Sequence, residues 1–283
     1  MRHEGRRRPP YASGQLFYQS NTTDMTTKPA VSIVWLHGAW HQPSHYSSII
    51  EKLQAQGYEV EAPATASAAD TAISDVFAAD VAMAKKAIKS FVDDGKNVVV
   101  AMHSYGGVYG SEAVAELLED LKGEESKGRV VHLFYIAAII LEKGTSVLDD
   151  GFTPHALDFE NGLMHHLEPY NKFYATTPPD VARKAINTLK PQATESFATK
   201  TKHRGWADQE ISVTYLACDQ DRALPLDTDV ARFIKRLETA GLKDFNLRRI
   251  DCNHSPFISA EKEFMDVMNE VLKKAATFAG SQT

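Results

Sequence analysis

Cysteine is almost missing from this chain: Cys218 and Cys252 are the two in 283 residues. Two thiols cannot build a disulfide framework, so a reducing compartment such as the cytoplasm is expected, with both thiols free and buried. Long apolar runs are missing too. The longest, residues 133–141, is strand-sized and falls well short of the ~18 residues of a membrane span. Positive charge is in deficit: 31 basic residues against 37 acidic give a net charge of -6. Phosphate binding needs a clustered basic surface, so no nucleic-acid partner is expected. Neither an internal repeat nor a low-complexity tract is evident.

The amino terminus also lacks something. Arg2, Arg6, Arg7, Arg8, Pro9 and Pro10 precede a polar stretch with no apolar core. A secretory signal requires that core. The arginines suit a mitochondrial address, but Glu4 and Pro9-Pro10 oppose an amphipathic helix. Residues 1–30 are therefore expected to be a disordered leader, upstream of an alternative start at Met25.

From Val31 onward, strand-like and helix-like patterns alternate. Residues 31–36 form a buried-strand run, and Pro43-Ser44 opens a helix with Tyr46, Ile49, Ile50 and Leu53 on one face, closed by Gly57. Residues 58–60 read as a short strand. Phe77, Val81, Ala84, Ile88 and Phe91 mark the next helix, which stops near Gly95. Residues 97–101 form a strand, and Val114, Leu117, Leu118 and Leu121 a helix behind it. A continuous apolar strand follows over residues 130–140. The rhythm then breaks between about 142 and 208, which hold five prolines and only short helical stretches. It resumes with strand 211–218, a helix around 230–237, strand 246–250 and a last helix bearing Phe264, Val267, Met268, Val271 and Leu272. Strict alternation implies an α/β fold, a mostly parallel sheet with helices on both faces. Its core would be residues 31–141 and 209–278, with 142–208 inserted as a cap above the carboxyl edge, where such sheets bind ligands.

The residues at those strand ends carry chemistry. Val99-Val100-Ala101-Met102-His103-Ser104-Tyr105-Gly106-Gly107 runs from strand to helix through a serine, the pattern of a nucleophile elbow, although Met102 stands where the first glycine of G-x-S-x-G belongs. Met102 should then pack inward, and His103, pointing to the opposite side from its neighbour, should be structural. Ser104 needs a base. His254, after the last strand, has the right setting. An acid must orient it, and Asp219 and Asp221 both follow strand 211–218, with Glu142 a weaker third. After the first strand, Gly38 lets the backbone approach a ligand, so the amides of Ala39 and Tyr105 form a two-donor oxyanion hole.

"LHGAW", "HSYGG", "LACDQDRALP" and "DCNHSPFIS" together resemble the α/β-hydrolases, and more narrowly the plant methyl-esterase and hydroxynitrile-lyase branch with its bacterial and fungal relatives. The resemblance spans about residues 31–278. It implies Ser104, Asp221 and His254 as a triad, Ala39 and Tyr105 as oxyanion donors, and no metal or organic cofactor. Trp40 and Tyr105, flanking those donors, are expected in the substrate pocket. His165-His166 with Glu168 lacks a third ligand at useful spacing and reads as solvated surface.

The expected activity is hydrolysis of a small, fairly apolar carboxylic ester or lactone through an acyl-enzyme. Alternatives on the same residues are a hydroxynitrile-lyase-like or other small-molecule lyase or cyclase, and a non-catalytic ligand receptor. The lyases carry a lysine after the acid, where this chain has Arg222. Oligomeric state is left open.

Overall fold

The computed structural model describes residues 29–124, 128–152 and 157–280, so all but the last two residues of the expected leader lie outside it. In chain order the elements begin β1 (Val31–Leu36), α1 (Ser47–Ala55), β2 (Val60–Glu61), α2 (Val76–Asp93), β3 (Asn97–His103), α3 (Gly106–Asp120) and β4 (Arg129–Ile136). An insertion follows: β5 (Leu157–Glu160), β6 (Leu163–His166), α4 (Pro169–Phe173), α5 (Pro179–Ile186), β7 (Gln192–Ala193) and α6 (Thr194–Ala198). The chain closes with β8 (Ser212–Cys218), α7 (Ala231–Thr239), β9 (Phe245–Ile250), α8 (Pro256–Ser259) and α9 (Glu261–Gly280).

Six strands form one parallel sheet in the order β2-β1-β3-β4-β8-β9. Strand alternation divides its side chains between two cores. Val31, Ile33 and Trp35 of β1 and Val99 and Ala101 of β3 pack with α1 and α9, while Val34, Leu36, Val98, Val100 and Met102 face α2 and α3. The chain leaves β1 toward β2 on one side and returns to β3 on the other. This change of direction puts a crevice beyond the carboxyl ends of β1 and β3, where an open α/β sheet binds ligands. No helix among the described residues is long and apolar enough to cross a membrane.

Two expectations about elements need correction. The apolar run after β4 is not strand to its end: pairing stops at Ile136, and Ala137 takes a left-handed φ of 41° that turns the chain over the elbow. Residues 137–141 stay buried as loop, which is why they read as strand. The insertion is also more than short helices. β5, β6 and β7 form a second, antiparallel sheet. Its hairpin turns at Asn161-Gly162, both with positive φ (52° and 79°), as a two-residue primed turn requires.

Candidate active site

Ser104 sits in the turn between β3 and α3. Its φ of 53° lies in the left-handed region that a side chain resists, and neighbouring backbone holds it there. The Ser104 amide donates to Ile136 C=O (3.2 Å), and its carbonyl accepts from Gly107 and Ile139 (3.0 Å each). Met102, in the place of the motif's first glycine, is fully buried as expected. The room it needs comes from Gly110 of α3, where an added Cβ would stand 2.6 Å from the Met102 sulfur.

Ser104 Oγ lies 2.9 Å from His254 Nε2, and His254 Nδ1 lies 2.7 Å from Asp221 Oδ2. A carboxylate only accepts, so Nδ1 carries the proton and Nε2 presents its lone pair to the serine hydroxyl. The acid is fixed in turn: Asp221 Oδ1 accepts the amides of Ala223 (2.8 Å) and Leu224 (2.9 Å), leaving Oδ2 for the imidazole. The other acids are elsewhere. Asp219 pairs with Arg249 at 2.8 Å, and Glu142 with Arg204 at 3.4 Å.

Behind the imidazole runs a chain of neutral groups that the sequence did not disclose. The Gly38 amide donates to Tyr46 Oη (3.1 Å), Tyr46 pairs with His103 Nδ1 (2.8 Å), and His103 Nε2 meets the His254 carbonyl (2.9 Å). The carbonyl cannot donate, so every proton is assigned: Nε2–H of His103 to the carbonyl, and Tyr46 O–H to Nδ1. His103 ties the β1 loop to His254 through these bonds. Burial holds His103 and His41 well below the ordinary histidine range and His37 at about 4, so all three stay neutral. Gly38 sits so close that an added Cβ would come 2.8 Å from His103 Nδ1 and 2.9 Å from Ser104 Cβ.

That approach brings Ala39 beside the serine. No hydrogen bond to a described residue engages the amide of Ala39 or of Tyr105. Two buried, unsatisfied N–H groups flanking a serine are costly unless something else accepts from them. The Tyr105 side chain, by contrast, is not in the pocket, and that expectation fails. It is buried behind the elbow, donating to Asp80 Oδ2 (3.2 Å) and packing on Tyr109 and Phe197. Asp80 also accepts the amides of Ala66 (2.8 Å) and Ser67 (3.1 Å), and burial pushes its carboxyl up to about 6 against those bonds. Adjacency in sequence put Tyr105 beside Ser104; the helix start turned its ring the other way.

A cavity of about 200 Å³ opens onto Ser104 and His254. Trp40, Ile139, Phe152, Phe173, Phe197 and Leu224 give it an apolar wall. Trp40 lines the cavity, has a φ of 62° and is pinned by its indole N–H to Met164 C=O (2.9 Å). Phe173 lies 5.7 Å from the His254 ring, screening it from water. His166 also lines the cavity, edge-on to Trp40, rather than standing on a solvated surface; burial, and Lys172 beside it, lower its pKa to about 4. Lys172 of α4 and Arg222 also line the cavity. Cys218 and Cys252 are free, buried and packed together with Ala137.

A family model described as the alpha/beta hydrolase family matches residues 33–267. The chain belongs to that family. Alpha/beta hydrolase nvfD of Aspergillus novofumigatus is 32% identical, over 82% of this chain and 92% of that protein. Probable hydrolase R7 of a Phoma species is 28% identical, over 87% of this chain and 98% of that protein. Among solved structures, the methylesterase MES16 from Arabidopsis superposes with a TM-score of 0.63 over 86% of the hydrolase and 99% of its own chain; at 15% identity this likeness is one of fold. The expected α/β-hydrolase fold therefore holds, as does the resemblance to α/β-hydrolases with fungal members.

Proposed function

We propose that this hydrolase cleaves a small carboxylic ester or lactone through an acyl-enzyme on Ser104. One observation carries the reading: the unbroken line from Ser104 Oγ through His254 to Asp221, with the imidazole's lone pair toward the serine. Ser104 Oγ attacks the carbonyl carbon as its proton passes to His254 Nε2, and Asp221 stabilises the imidazolium. The carbonyl oxygen takes up charge against the amides of Ala39 and Tyr105, a contribution of about 3 kcal/mol per donor in oxyanion holes. Collapse expels the alcohol, which takes the proton back from His254. Water, deprotonated by the same nitrogen, then releases the acid and frees Ser104. The apolar wall of Trp40, Phe152, Phe173 and Phe197 suits a substrate with a hydrophobic body. Two buried free thiols support a reducing, cytoplasmic setting.

A panel of short-chain aryl esters, methyl esters and lactones tests this. At least one is turned over by the wild type and not by Ser104→Ala; turnover that survives the substitution contradicts it. Lys172 gives the lyase alternative a footing, since a cation at the mouth suits a departing cyanide. Ser104-dependent release of cyanide from aromatic cyanohydrins, without ester turnover, would favour that reading.

A further inference from the structure

The cavity's charges do not balance. Lys172, Arg222 and Asp229 all line it. Asp229 is engaged by Arg232 at 2.8 Å, and Arg232 and Arg236 together hold Asp150, so two arginines and two aspartates cancel. Lys172 and Arg222 have no acidic partner among the described residues, in a chain whose acids outnumber its bases. They are nevertheless tied side by side. Lys172 Nζ donates to the Arg222 carbonyl (3.1 Å), and Arg222 Nη1 donates to Asn171 Oδ1 (2.6 Å). The reciprocal bonds lace α4 to the loop carrying Asp221. Two cations on one cavity without an acidic partner leave positive charge there that a bound anion would neutralise. Lys172 already acts on the cavity wall, since its charge adds to the burial that depresses His166.

From this we infer that the mouth is an anion subsite, and that the substrate is an ester with an apolar body and a free carboxylate that reaches Lys172 and Arg222. The ammonium keeps two N–H donors and the guanidinium four beyond the bonds named, enough for a carboxylate to bridge them. The inference rests on the esterase reading for its reaction and on the cation pair for its selectivity.

The test compares p-nitrophenyl hydrogen adipate with its neutral methyl-ketone isostere. Wild type should favour the anion by about fivefold or more in kcat/KM, through KM, as expected of a partly exposed charge pair. The ratio should fall with added salt, drop toward unity in Lys172→Met with Arg222→Gln, and invert in Lys172→Glu. Equal kcat/KM for the two esters, or a ratio indifferent to these substitutions, overturns the inference while leaving Ser104-dependent hydrolysis intact. Calorimetric binding of the same two esters to Ser104→Ala separates the two claims. Tighter binding of the anion sustains the subsite even if no ester is hydrolysed; equal binding removes it.

Discussion

The carboxyl edge of the sheet and the insertion above it meet at Ser104, and different parts of the chain fix them. At the edge, backbone does the placing: β1 and β3 end side by side, as do β8 and β9, and main-chain amides and carbonyls hold Ser104, Asp221 and the back of His254. Where the insertion meets the edge, rings pack on rings, Trp40 with Phe173 and Phe197 and Phe152 with Phe197, and Lys172 reaches the Arg222 carbonyl. The edge fixes the groups around Ser104, whereas the insertion supplies much of the cavity wall. Substitutions at the edge should therefore strike kcat, and substitutions in the insertion should strike KM and selectivity.

The largest effects are expected from the base and the acid. His254→Ala should lower kcat about ten-thousandfold or more, and Asp221→Asn about a thousand- to ten-thousandfold, the latter by favouring the wrong tautomer. Steady-state kinetics on the best ester of the panel measures both. Gly38→Ala comes next. Its methyl group would push against Ser104 and His103, and a displacement near 1 Å costs roughly a hundredfold in rate. Phe152→Ala, on the insertion side, should raise KM for apolar esters about tenfold with kcat little changed. If it lowered kcat as far as Gly38→Ala does, the contrast between the regions would be lost.

A last effect is on stability and leaves the contrast in kinetics untouched. His37, His41 and His103 are held neutral by burial, so the unfolded chain binds more protons than the folded one below about 6.5. Their contribution is complete above that value and is lost as pH falls toward the folded pKa, about 4 for His37. For His37 alone this corresponds to about 3 kcal/mol. Asp80 runs the other way, gaining stability as pH falls through about 6 toward 3.8. Three histidines outweigh one carboxyl, so the unfolding temperature should drop between pH 7 and pH 5, and more steeply in Asp80→Asn. A rise on acidification would show these imidazoles are not held neutral.

The same division explains what could be read from the sequence. The sheet was legible because β1, β3, β4 and β8 are apolar runs buried on both faces, and the candidate residues because each stands just past a strand. Asp221 was separable from Asp219 only by resemblance, since both follow β8 and it is in space that one meets His254 and the other Arg249. The β5–β6 hairpin was missed although Asn161-Gly162 signals it, because its outer strand is largely exposed and lacks an apolar face. Lys172 was invisible: no local pattern records which way a short helix points its lysine. Tyr105 misled because its amide and its ring serve opposite sides of the elbow.

The central claim is that Ser104 is a nucleophile activated by His254. Labelling with a fluorophosphonate probe, followed by peptide mass spectrometry, tests it without knowledge of the substrate. One adduct on Ser104 is expected in the wild type, with none in Ser104→Ala and a labelling rate sharply reduced in His254→Ala. An unlabelled wild type, or equal labelling of wild type and Ser104→Ala, would contradict it.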